Sequence, residues 1–222
     1  MLGHEQVSQQ PFFFVLALIS AILTICYYWG NRKNKQLFLA IFEELAAVIK
    51  PEHKEYGNIG GTREYYADFT LQKESPLARI DARFTFLPRH LLPYLPIALL
   101  IDKSDRLLLA LHFKEKLRDE GHIIEAEYAE ARTAKIVNAD QFNKVFLKWG
   151  KYDYNMYYKS KKTYERFREL IDKIDDPGVI RHIALIPGQK KCFIFMIPRK
   201  GQVAKDLAPV YQWMLSLDGI KH

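Results

Sequence analysis

Side chains able to do acid–base or metal chemistry are present in this chain but are not grouped along it. The seven histidines, His4, His53, His90, His112, His122, His182 and His222, show no paired spacing with Cys, Asp or Glu of the kind a metal site needs. A phosphate-cradling loop follows a strand and ends in Lys-Ser/Thr, whereas Gly57-Asn58-Ile59-Gly60-Gly61 follows a helical pattern and has no such ending. No serine or cysteine occupies a nucleophile elbow. The acid pairs Glu43-Glu44 and Asp175-Asp176 fall on faces that read as solvated. These patterns predict neither a catalytic constellation nor a cofactor, and they point to binding rather than catalysis.

Two segments have binding chemistry. Lys148 to Arg168 interleaves basic residues with Trp149 and several tyrosines, a mixture that can pair with phosphates while stacking on bases or lying at a headgroup surface. Its cationic members Lys159, Lys161, Lys162, Arg166 and Arg168 fall at the start and on the polar side of a helix, with Tyr164, Phe167 and Ile171 opposite. The plainer reading makes the aromatics core and the lysines its solvated rim. The second segment, Leu91 to Ile101, has eleven uncharged residues, too few to cross a bilayer. It reads as core, with an apolar docking surface at Leu91, Leu92, Tyr94 and Leu95 as the alternative. A net charge of +7 favours anionic partners such as phospholipid headgroups or RNA phosphates without choosing between them.

The element that positions these segments is Pro11 to Trp29. It has no charged residue and is followed at once by Arg32, Lys33 and Lys35. At about 1.5 Å per residue it reaches roughly 28 Å, close to the hydrocarbon thickness of a bilayer. Phe12, Leu16, Leu18, Ile22 and Leu23 would face lipid, and Tyr27, Tyr28 and Trp29 suit the headgroup boundary. The alternative is a buried helix of a soluble core. Glu5 is the only charged residue before Gly30, so the basic flank follows the span. The positive-inside rule then predicts residues 1–10 as a short luminal or exterior tail, 11–29 as the membrane helix and 30–222 as a cytosolic domain. About 190 residues suffice for one domain with a real core. Cys26 lies in the span and Cys192 in an apolar strand pattern, which does not read as a disulfide.

Within that domain, Leu37 to Lys50 reads as a helix continuing the span or lying beneath the membrane, and the glycines of Tyr56 to Arg63 as a loop. Strands are predicted around residues 65–71, 80–86, 107–113 and 123–128. After Asn138 a helix is expected through Phe142, Val145, Phe146 and Trp149, then a second one capped by Ser160. A hairpin around Pro187 to Lys190 and a last helix containing Pro209 complete an α+β domain with a mainly antiparallel sheet packed by helices.

In order, these segments resemble the calumin family (coiled-coil domain-containing protein 47). GNRKNKQLFLAIFEEL is similar to the family's basic linker and first helix, and PLARIDARFTFLPRHLLPYLP to its strand and Leu-Leu-rich turn. FRELIDKIDDPGVIRHIALIPGQKKCFIFMIPRKGQVAKDLAPVYQWMLSLD is similar to its helix, hairpin and proline-containing final helix. The resemblance spans most of Thr24 to Asp218, with a poorly matching middle between Lys114 and Tyr158. It implies a short form without the family's acidic luminal region and coiled-coil tail. The implied function is that of a non-enzymatic subunit of the translocon-associated PAT complex of the endoplasmic reticulum. Such a subunit, partnered by Asterix, assists insertion and folding of multipass membrane proteins. Calcium homeostasis is also associated with the family. The family's tail contacts the ribosome, which leaves the Lys159–Arg168 face as the local substitute here. A membrane-tethered lipid-binding module, needing an internal apolar cavity, is the rival expectation.

Overall fold

The computed structural model describes residues 11–117, 120–132, 136 and 138–217; the short N-terminal tail lies outside them. Helix α1 runs unbroken over Pro11–Ile49. From Pro11 to Trp29 its side chains are exposed, with only Cys26 partly covered, so this stretch is not a core helix of the folded domain. Among the described residues, one helix is long and apolar enough to cross a membrane. Thr24 donates its hydroxyl to the Ser20 carbonyl, which satisfies the polar group within the helix.

Among the described residues, nine strands form one sheet: β1 (His53–Gly60), β2 (Glu64–Thr70), β3 (Leu77–Thr85), β4 (Arg106–Phe113), β5 (Gly121–Glu125), β6 (Asn143–Trp149), β7 (Tyr152–Tyr158), β8 (Ile180–Ile186) and β9 (Lys191–Met196). Their spatial order is β1-β2-β3-β4-β9-β8-β5-β7-β6, and every pair is antiparallel. The architecture is α+β, as the alternating patterns predict.

Register turns that alternation into a continuous apolar face. One row runs Ala67, Ala82, Leu109, Ile194, Ile183, Ile123, Met156 across seven strands, each residue paired with the next. All seven are essentially inaccessible. The C-terminal half of α1 (Phe38, Ile41, Phe42, Leu45), α4 (Lys161–Lys173) and α5 (Val203–Leu215) add further buried side chains to the core. Phe38 stacks on Tyr65 at 4.6 Å and meets Phe84 edge-on at 5.0 Å. Each such ring removed from water contributes about 1.5–3 kcal/mol. The helix that carries the apolar anchor is therefore also the helix that fills the core. Glu44 reinforces this by accepting from the Gly201 and Ala204 amides (2.6 and 3.1 Å), and so caps the start of α5.

Four sequence expectations are corrected. Tyr56 to Arg63 is not a loop, because most of it belongs to edge strand β1, bulged at Asn58/Gly60. Its residues are nearly all exposed and carry no apolar alternation to read. The strand expected over 123–128 stops at Glu125 and gives way to α3 (Ala126–Arg132). The helix after Asn138 is the β6–β7 hairpin, turning at Gly150 with φ +59°. Val145, Leu147 and Trp149 face inward while Phe146 points out, so the period is two and not 3.6. Finally, Leu91–Ile101 is not core. It forms a 3₁₀ turn (Leu92–Tyr94) and helix α2 (Leu95–Ile101), in which Ala98 is the only buried side chain.

Candidate membrane-contact site

Where α1 leaves its apolar stretch, a collar of polar groups joins it to the segment just before Leu91. Gly30 packs directly on the Arg89–His90 backbone; a Cβ there would lie 2.3 Å from Arg89 C and O and His90 N. One helical turn on, the buried Asn34 donates Nδ2 to the carbonyls of Thr62 (2.9 Å) and Leu87 (3.1 Å), and its Oδ1 accepts from Arg89 Nη1 at 2.9 Å. Arg89 in turn forks onto Asp105, at 2.9 Å from Nη1 and 2.7 Å from Nη2. Asp105 Oδ1 also accepts the Leu87 amide at 2.8 Å.

The other end of the apolar segment is held in the same way. Asp102 accepts from Arg63 Nη2 at 2.9 Å and Arg106 Nη2 at 2.6 Å, while Arg63 Nε donates to the Phe86 carbonyl. His90 shares a 2.6 Å hydrogen bond with Thr62 Oγ1. Partial burial, with the Arg63 charge nearby, lowers its pKa, which favours the neutral ring at this contact. The first root is thus fixed to α1 and to the β1–β2 turn, and the second to that turn and to Arg106 at the start of β4.

What the collar holds out is apolar. Leu91, Leu92, Tyr94, Ile97, Leu99, Leu100 and Ile101 are all exposed, Leu100 to 79%. Leu95 is half-buried. Pro93 and Pro96 sit in the first turns of the two short helices, where a missing N–H costs nothing. An apolar hollow separates this ledge from α1, with Leu23, Tyr27 and Tyr28 on one wall and Leu91, Pro93 and Tyr94 on the other. The Tyr27 ring meets His90 edge-on at 5.8 Å.

The anchor residues Phe12, Leu16, Leu18, Ile22, Leu23 and Trp29 are exposed along α1. Just beyond them Arg32, Lys33 and Lys35 point to solvent, with Lys33 over the Trp29 ring at 4.8 Å. The second basic group is on and beside α4, which begins at its Ser160 cap (Thr163 N to Ser160 Oγ, 3.1 Å). Lys159 pairs with Glu120 at 2.7 Å, Lys161 with Glu165 at 3.6 Å, and Arg168 with Asp172 at 3.7 Å. Lys162 is exposed and Arg166 half-buried on the same helix. Trp149 and Tyr154, from the same sequence stretch, are wholly in the core, hydrogen-bonded to the carbonyls of Ile174 and Ile180.

Sequence spacing missed two further clusters. His122 and His182 come within 3.3 Å across β5 and β8. Burial lowers both pKa values, to about 4 and about 3, so the pair is neutral at pH 7. Arg181 and Glu125, almost fully buried, pair at 3.1 Å beneath Tyr152, whose ring lies 4.2 Å from the guanidinium. Neither could be found from spacing, because each is assembled across strands distant in sequence.

No protein-family model matches this chain, and no curated protein matches it.

Proposed function

We propose that this chain is a non-enzymatic, membrane-anchored subunit of a translocon-associated intramembrane chaperone complex of the PAT type, assisting insertion and folding of multipass membrane proteins. One observation carries the reading: the exposed apolar stretch and the core-filling stretch are a single helix, so the domain is held at the membrane exit without a linker. In this reading the chain is a single-pass protein of the endoplasmic reticulum. Its N-terminal side is luminal and residues 30–222 are cytosolic, because Arg32, Lys33 and Lys35 follow the span. A small Asterix-like membrane partner packs along the exposed face of the span, and clients pass beside it. The α4 cations face anionic headgroups or ribosomal RNA phosphates. A lipid-binding module is less well supported, since the space between sheet and helices is filled by side chains such as Phe38, Phe69, Phe84 and Phe167.

The test is affinity purification of the full chain from mild detergent. Translocon and Asterix-like peptides are the expected yield, whereas lipid without protein partners would replace this reading by the lipid-binding one. Protease added to sealed microsomes should digest the domain, and a protected domain would reverse the topology.

A further inference from the structure

We propose that the Leu91–Ile101 ledge is a second, monotopic membrane contact, lying at the headgroup–acyl boundary of the leaflet through which α1 leaves the bilayer. The proposal rests on the anchoring in the preceding reading and adds a second point of attachment to it. Depth is the first argument. Leu91, Pro93 and Tyr94 share a hollow with Leu23 and Tyr27, and Leu23 precedes Trp29 by six positions, about 9 Å along a helix axis. A segment packed beside that part of α1 shares its surroundings, so if Leu23 is in lipid the ledge is too. Interfacial helices sit at a similar depth, about 5–10 Å into the boundary.

Composition is the second argument. From Leu91 to Ile101 no side chain is charged, and Ile97, Leu100 and Ile101 are half-exposed or more while facing no other part of the chain's core. Polarity returns abruptly at both roots, with Arg89 and His90 before the ledge and Asp102 and Lys103 after it. Arg63 and Arg106 stand at the same level through Asp102, as does Asn34 of α1 through Arg89. An apolar tip on an ionic base is the profile of a group seated at a membrane surface. A lone helix holds a domain at the bilayer but leaves it free to turn about the helix axis. A rigid second contact beside the helix fixes which side of the domain meets the surface.

The experiment uses the full chain with Cys26→Ala, in which the buried Cys192 stays inaccessible to reagent. Single cysteines at Leu100→Cys, Leu18→Cys and Lys73→Cys carry an environment-sensitive nitrobenzoxadiazole label. Lys73 lies in the turn at the far end of β2 and β3 from the ledge. The proteins are reconstituted alone into phosphatidylcholine–phosphatidylserine vesicles. Quenching is measured with nitroxide lipids, labelled near the carbonyl or deep in the acyl chain, and with aqueous iodide. Leu100 should be quenched most by the shallow nitroxide and several-fold less by iodide than Lys73, with Leu18 quenched most by the deep one. If Leu100 proves as open to iodide as Lys73 while Leu18 remains lipid-quenched, the proposal is overturned and the anchor stands. The ledge would then be a surface for an apolar protein partner. Lipid quenching at Leu100 without it at Leu18 would support the ledge and remove the span.

Discussion

The cations of the collar and those of α4 are chemically alike and are used in opposite ways. Arg63 and Arg89 are spent on carbonyls and carboxylates within the fold, their geometry dictated by backbone they must hold. On α4, Lys161, Arg168 and Lys173 lie at the surface and reach only acids one turn along the same helix. The first group fixes the shape of the molecule. The second leaves its charge available to a partner, because exposed pairs of this kind are weak and screened by salt. Basic residues count equally in a net charge, but only burial and partners separate those that build from those that bind.

The largest effect should come from breaking the collar at its centre. Asp105→Ala would strand Arg89, whose side chain is only 16% exposed, and leave the Leu87 amide without its acceptor. Losing one member of a buried pair costs about 3–5 kcal/mol. Chemical denaturation of the detergent-solubilised chain, followed by far-ultraviolet circular dichroism, should show that loss; a change within error would erase the contrast with α4. Next, Gly30→Ala should cost about 1–3 kcal/mol, since the new methyl meets Arg89 backbone rather than a movable side chain. Thermal melts of the same preparation measure it, and a neutral result would mean that the collar yields.

A third measurement sharpens the comparison through titration. His122 and His182 are held neutral by burial, with Glu120 and Lys159 the charged neighbours of His122. Their folded pKa values lie below the ordinary 6.5, so the unfolded chain binds more protons in between. Stability from this source is fully present above about 6.5 and should fall as pH drops towards about 4 for His122 and about 3 for His182. Replacing His182 with Phe should flatten the decline in denaturation midpoint across that window; an unaltered slope would assign it to carboxylates instead. The smallest structural effect belongs to α4. Reversing Lys161, Lys162 and Arg168, all exposed, to Glu should alter stability by only about 0–1 kcal/mol per pair. Co-sedimentation with ribosomes and with anionic liposomes should nevertheless weaken, most visibly at low salt. Unchanged binding of the folded variant to both would show that the face is plain solvated surface.

Much of the fold is legible in the sequence alone. The long apolar helix α1, α4 with its Ser160 cap, the β8–β9 hairpin and α5 declare themselves because of uniform apolarity in the first and, in the others, one apolar period with caps or turns at the ends. The β6–β7 hairpin did not, since Phe142, Val145, Phe146 and Trp149 fit a helical spacing by coincidence while Phe146 faces out of the sheet. Leu91–Ile101 defeated the rule that apolar residues go inside, because that rule assumes water on the outside. The collar was hidden for another reason. Gly30 and Asn34 stand one turn apart in an otherwise unremarkable basic linker, and their partners at Thr62, Leu87, Arg89 and Asp105 are distant in sequence.

The unbroken α1 also has a mechanical meaning. Its 39 residues form a rod of about 58 Å, gripped at one end by the domain's core and free to be loaded at the other. A bilayer thinner than the apolar stretch is accommodated by tilting it, and transmembrane tilts average about 20°. Over the 20-residue arm from Gly30 to Ile49, roughly 30 Å long, such a tilt moves the far end by about 10 Å. In the anchored reading, with no swivel between apolar stretch and sheet, membrane thickness becomes a displacement of the whole domain, which is the behaviour of a lever rather than a tether.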